Sequence, residues 1–163
     1  MKRRNRYLAA AALLALCGLI PAGGEDVAEL LPAQALVIWE RDGLVELSCD
    51  CGVSAEGATL EQALDALCAA APGSLFLDTA EQIVVKTQTQ SLLRQAALCQ
   101  RLRPAARLCL CPGELPDAAQ AAVYLHAHES DLTLGKARAA LLAGLPIAPP
   151  RLWVKEGRMR LEQ

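Results

Sequence analysis

Apolar and polar positions alternate in several short runs along this chain, and recur at three and four in others. Residues 35–39 (ALVIW) and 44–49 (LVELSC) read as two strands, and Asp42-Gly43 between them is a hairpin signal. Residues 52–58 are small and polar and read as a loop. Thr59 opens the clearest helix. Thr59 and Gln62 stand at capping-box spacing, and Leu60, Ala63, Leu64, Leu67 and Cys68 form one apolar face before Pro72-Gly73 stops it. Residues 74–77 and 83–85 predict two more short strands. A second helix is predicted from about 91 to 102, ended by Pro104, and a strand over 107–111, turned by Pro112-Gly113. Pro116 suits the first turn of a third helix reaching about His126. A fourth spans about 133–143, with Gly144 as its C-terminal cap. Residues 145–150 are Pro-rich and read as a linker or rigid edge. The chain ends in a hairpin around Glu156-Gly157, with strands at 151–155 and 159–161. Strands interleaved with about four helices predict an α+β fold: one domain with a mixed β-sheet, helices packed on it, and a C-terminal β-hairpin.

The first 22 residues follow a different grammar. Lys2, Arg3, Arg4 and Arg6 precede an apolar stretch from Leu8 to Ile20, then Pro21-Ala22 and two glycines. A basic end, a short apolar span and a small residue before the cut specify a secretory signal peptide, with an uncleaved N-terminal anchor as the alternative. Both place the rest of the chain, residues 23–163, outside the cytoplasmic membrane. Cys17 is a lipid-attachment candidate, but Leu16 stands where lipoprotein signals carry a small residue. Residues 23–31 read as a lead-in or a short helix, with Glu25, Asp26 and Glu29 as the densest acidic group.

Composition sharpens this. The chain has 163 residues, 53% hydrophobic, 21% charged and only 3% aromatic, so Ala and Leu must build the core. The formal net charge of -2 conceals a split: without the four bases of residues 1–22, 12 bases face 18 acids. An acidic body of that kind argues against nucleic acid as a partner, since binding it needs a basic footprint.

Six cysteines follow the signal: Cys49, Cys51, Cys68, Cys99, Cys109 and Cys111. Cys49/Cys51 and Cys109/Cys111 are C-x-C pairs on predicted strands, where alternation puts each pair on one face. Cys68 and Cys99 fall on helix faces. Disulfides, a four-thiolate metal site made of Cys49, Cys51, Cys109 and Cys111, and plain core thiols all fit this pattern. The metal reading requires the two C-x-C strands to be neighbours with converging sulfurs. His126 and His128, two apart on a helix, point about 200° from each other, and a zinc-protease pair needs a spacing of four. They read as a polar helix end beside the C-terminal dipole. Trp39 and Trp153, in predicted strands, read as core. No phosphate loop, dinucleotide fingerprint or nucleophile elbow is present in the sequence, and no nucleophile, base and orienter can be named together. No catalytic residue and no cofactor are assigned.

The ordered features resemble the amino-terminal part of the Ger(x)C family, the C subunits of bacterial spore germinant receptors. Residues 35–47 look like its opening hairpin, and residues 57–64 (GATLEQAL) resemble its G-x-T-hydrophobic-E-x-A helix start. Residues 75–77 and 83–85 are placed like the strand pair that follows. Residues 93–113 are similar to its helix, Arg-Pro turn and strand. Family members are lipoproteins about twice this length, so the chain would be a shortened relative. The resemblance implies a non-enzymatic protein on the membrane surface, in the spore inner membrane, that contacts integral membrane receptor or transporter-like subunits. It supplies no catalytic residues. The terminal hairpin is the candidate contact edge, and its Arg151, Lys155, Arg158 and Arg160 are candidates to discourage strand pairing or to face anionic lipid.

Overall fold

Strand β2 (Ala35–Arg41) lies at the heart of a seven-stranded sheet. The computed structural model describes residues 30–87, 90–128 and 130–162. The signal segment, Cys17 and the acidic lead-in around Glu25 lie outside them. β2 is buried on both faces, which explains its unbroken apolar run. Leu36 and Ile38 enter one core and Val37 the other. It pairs antiparallel with β3 (Leu44–Cys49), which pairs antiparallel with β4 (Ser54–Gly57). On its other side it pairs parallel with β6 (Gln82–Lys86), followed by parallel β7 (Arg107–Leu110) and β8 (Arg151–Lys155), and by antiparallel β9 (Arg158–Glu162) at the edge. A separate parallel pair joins β1 (Leu30–Pro32) to β5 (Ser74–Phe76).

Among the described residues, four helices cover the sheet. Helices α1 (Leu60–Ala70), α2 (Gln90–Leu98) and α4 (Leu134–Leu142) bury Leu64, Leu67, Leu92, Ala96 and Leu134 against Leu36, Leu47, Ile83, Val85 and Leu108. Helix α3 (Ala118–Ala127) covers the opposite face with Ala118, Ala121 and Leu125, against Val37, Val84, Cys109 and Leu152. The described residues form an α+β fold: one domain with a mixed sheet, four helices and a C-terminal hairpin.

Local chemistry sets the boundaries. Thr59 Oγ1 accepts from the Gln62 amide, and Thr133 Oγ1 from the Lys136 amide, starting α1 and α4. α4 ends in a Schellman motif. Gly144 at φ +71° lets its own amide reach the Leu141 carbonyl, and the Leu145 amide reach that of Ala140. Both hairpin turns, Asp42-Gly43 and Glu156-Gly157, have positive φ at both central residues, as a type I′ turn requires.

Several boundaries differ from expectation. Asp117, not Pro116, sits at the start of α3; its Oδ1 accepts from the Gln120 amide, so Pro116 lies before the cap. α2 stops at Leu98, leaving Cys99 to Leu102 in a turn. Leu77 belongs to a short 3₁₀ turn (Leu77–Thr79) rather than to β5. Two strands were not foreseen. β1 falls where the chain read as lead-in, and β4 in the stretch that read as a loop.

Candidate functional site

The sheet itself decides the fate of the C-x-C pairs. β3 and β7 are not neighbours; β2 and β6 stand between them, which is a separation of about 14 Å at normal strand spacing. The pairs also face opposite ways. Cys49 and Cys51 pack with the core under α1, and Cys109 and Cys111 with the core under α3. A tetrahedral zinc site needs all four sulfurs within about 2.3 Å of one ion. The four-thiolate reading of Cys49, Cys51, Cys109 and Cys111 is therefore corrected: each pair shares a face as its spacing implied, but the sheet separates the pairs. Among the described residues, no group of three or more His, Cys, Asp or Glu side chains is placed to hold a metal ion.

The six cysteines are free thiols. Burial pushes the Cys109 thiol up to about 11, and burial, helped by the neighbouring Cys51, does the same for Cys49. Burial also raises Cys99 and Cys111. Cys111 Sγ donates to the Glu114 carbonyl at 3.1 Å. These are protonated core groups, not nucleophiles, because the thiolate is the reactive form. Cys99 follows α2 instead of lying on it, and its Sγ is 3.3 Å from Glu61 Oε1. Arg101 closes that corner, with Nη1 2.6 Å from Asp65 Oδ1 and Nη2 3.7 Å from Cys68 Sγ.

The histidines end α3 as expected. His128 is the C-terminal cap residue; its ring stacks on Tyr124, and its Nδ1 lies 2.8 Å from the Tyr124 carbonyl. His126 is exposed, 3.9 Å from a Glu81 carboxylate oxygen. The tryptophans depart from expectation. Trp39 is half-buried, and Trp153 is 39% exposed with its indole N–H donating to Glu162 Oε2 at 2.8 Å.

Three surface features emerge. The first is a cleft of about 550 Å³ at the C-terminal ends of β2 and β6, where Cys111 follows β7. Glu46 pairs across the sheet with Trp39, and Trp39 with Lys86. With Cys111 beside Lys86, these side chains form one lateral row on the α3 face. A carboxylate, an indole, an ammonium and a protonated thiol thus stand side by side. The thiol cannot act as a base, and the row lacks an oriented nucleophile. Alternation of Trp39 and Lys86 with buried neighbours was the available signal, but cross-strand register was needed to align them.

The second is a groove beside α2 and the end of α4, with Leu93, Leu141, Leu145, Pro146 and Ile147 as its apolar lining and Gln90, Ser91 and Arg94 of α2 as its polar one. Leu145 in this lining is 58% exposed, and Leu142, next to the lining residue Leu141 in sequence, is 77% exposed. Pro146 follows the Schellman cap, so the chain leaves the helix without returning Leu145 to the core. The groove adjoins a second depression lined by Leu93, Leu110, Ile147 and Arg151, which leads to β8.

The third is the outer face of the β8–β9 hairpin. Residues of β8 alternate between exposed and buried, with Leu152 and Val154 inward. Arg151, Trp153 and Lys155 therefore point outward. Their register partners Glu162, Arg160 and Arg158 share that face.

Comparison of the chain with protein-family models, with curated proteins and with solved structures returns no match. No described helix is long and apolar enough to cross a membrane.

Proposed function

We propose that this chain is an exported, non-enzymatic protein of the membrane surface that works by protein–protein contact in spore germination. Its partner is an integral membrane receptor or transporter-like subunit, as the resemblance to the Ger(x)C family implies. The observation that carries the contact reading is the groove beside α2 and the end of α4, with exposed Leu145 in its lining and exposed Leu142 on α4 next to the lining residue Leu141. Single exposed leucines are ordinary, but Leu145 in a groove that also bears half-buried Leu141 and Ile147, with exposed Leu142 next to Leu141 in sequence, gives an apolar surface suited to a partner. The buried, protonated state of the thiols also favours a structural role for the cysteines over a redox or nucleophilic one.

Fractionation of the source cells tests the location. Immunoblots should find the protein enriched in dormant-spore inner membranes over vegetative membranes and culture medium. Recovery chiefly from vegetative cells or medium would sink the germination reading. A photo-crosslinker at residue 145 tests the contact. It should capture an integral membrane protein, and capture should fall at least tenfold in Leu142→Asp, whose side chain projects into solvent and whose replacement leaves the core intact.

A further inference from the structure

The β8–β9 hairpin concentrates positive charge on an acidic protein. Arg151, Lys155, Arg158 and Arg160 lie on one outward face with Trp153 among them, and Glu162 is the one acid on that face. Glu162 is already engaged: it accepts from the Trp153 indole and lies 3.6 Å from Arg160. Arg151, Lys155 and Arg158 are exposed. Helices α1, α2 and α4 pack on this side of the sheet, but Arg151, Trp153 and Lys155 stay exposed, so the helices leave this face of the hairpin open. A mutually repelling set of cations kept out of the helical layer, around an exposed indole, is costly for folding alone. It matches the chemistry of an anionic bilayer surface, where bases meet lipid phosphates and a tryptophan seats at headgroup depth.

We infer that the outer face of the β8–β9 hairpin binds the headgroups of anionic phospholipid, laying the domain on the bilayer through Arg151, Trp153, Lys155 and Arg158. This deepens the membrane-surface reading and rests on it for its biological setting. The groove beside Leu145 adjoins the depression lined by Arg151, so a partner docked in it would lie next to the lipid-bound face.

The test uses the full chain and sedimentation with vesicles of phosphatidylglycerol and phosphatidylcholine, compared with phosphatidylcholine alone. The bases of residues 1–22 also favour anionic lipid, so the informative quantity is the loss caused by hairpin substitutions in an otherwise intact chain. Each charge removed from the face should weaken partition to anionic vesicles about fivefold, and Arg151→Gln with Lys155→Gln and Arg158→Gln together on the order of a hundredfold. Partition to pure phosphatidylcholine should not change. Circular dichroism confirms folding of the triple variant, whose three sites are exposed. As a second readout, Trp39→Phe leaves Trp153 as the sole indole, and its emission should shift to the blue on adding anionic vesicles. Unchanged partition of the triple variant, or no shift of Trp153 emission, overturns the inference. So does charge-dependent binding to duplex DNA or polyglutamate without binding to vesicles. Lipid binding that depends on the hairpin would stand even if fractionation removed the protein from spores, so the two readings fail separately.

Discussion

Arg138 on α4 donates from Nη2 to the carbonyl of Cys99 at 2.7 Å, and from Nε to that of Ala97 at 3.1 Å. These carbonyls lie at the C-terminal end of α2, where the helix leaves acceptors without internal partners and its dipole favours a cation. One guanidinium thus caps α2 and pins α4 to it. Arg138→Ala should lower unfolding stability by about 2 kcal/mol, the scale of charged hydrogen bonds to a partly buried acceptor. Arg138→Lys should recover only part, since an ammonium lacks the planar fork that spans both carbonyls. Urea midpoints of the three proteins check this; equal midpoints for wild type and Arg138→Ala would refute the cap.

Gly57 closes β4 against the start of α1. A Cβ there would sit 2.5 Å from the Ala63 amide nitrogen and 2.8 Å from the Gln62 carbonyl carbon. Both obstacles are backbone, so neither yields by a rotamer change. Gly57→Ala is expected to cost about 3 kcal/mol through a forced shift of the helix start. A change in midpoint corresponding to less than about 1 kcal/mol would show that β4 moves away freely.

The buried thiols give the alkaline limb of the stability curve a definite sign. Cys49 and Cys109 have an ordinary value of 9.0 and are raised to about 11 by burial. Folding favours their neutral forms. That contribution is complete below pH 9.0 and is lost as pH rises through about 11. For Cys109, fully buried, it amounts to about 3 kcal/mol. Stability should fall over this window more steeply in wild type than in Cys109→Ala. Alkylation at pH 8 reads the same burial directly. Iodoacetamide should label the half-buried Cys51 and Cys68 first, and Cys49, Cys99, Cys109 and Cys111 only on unfolding. Early labelling of Cys109 or Cys111 would contradict their placement.

Much of this architecture is legible in residue patterns because the signals are local. Thr59 with Gln62, Thr133, Gly144, Asp42-Gly43 and Glu156-Gly157 each act within a few residues, and each marks the end or turn that it foretold. β1 and β4 escaped because their stability is not local. Residues 30–32 are a strand only because β5 offers them a parallel partner, and residues 54–57, small and ending in glycine, become one by pairing with β3. The C-x-C spacing correctly put each pair on one face. It was silent on strand order, which parts Cys49 from Cys109 by two strands and by the thickness of the sheet. The groove at Leu145 and the basic face of β8–β9 depend on where the helical layer ends, and that follows from packing rather than periodicity. The alternation in residues 151–155 did carry the key to the second: its odd positions are Arg, Trp and Lys, opposite buried Leu152 and Val154.

Tyr124 on α3 reaches the outermost strand, where its hydroxyl accepts from the Leu161 amide at 3.1 Å. That donor lies on the outer edge of β9, which among the described strands pairs with β8 alone. Unpaired edge groups template association with other strands, and a phenol oxygen occupying one of them blocks part of the template. Tyr124→Phe keeps the ring and its stacking on His128 but removes the acceptor. Leu161 N–H can then turn to water, so the expected cost is only about 1 kcal/mol. The local effect should be clearer than the global one. Amide exchange at Leu161 should accelerate at least tenfold while Leu152 and Val154, buried on β8, keep their protection. Sedimentation velocity should show more self-association of the variant at high protein concentration. Unchanged exchange at Leu161 would mean that the phenol does not hold the edge, and a variant no more prone to associate would mean that the charges of Arg158 and Arg160 suffice to keep β9 from pairing.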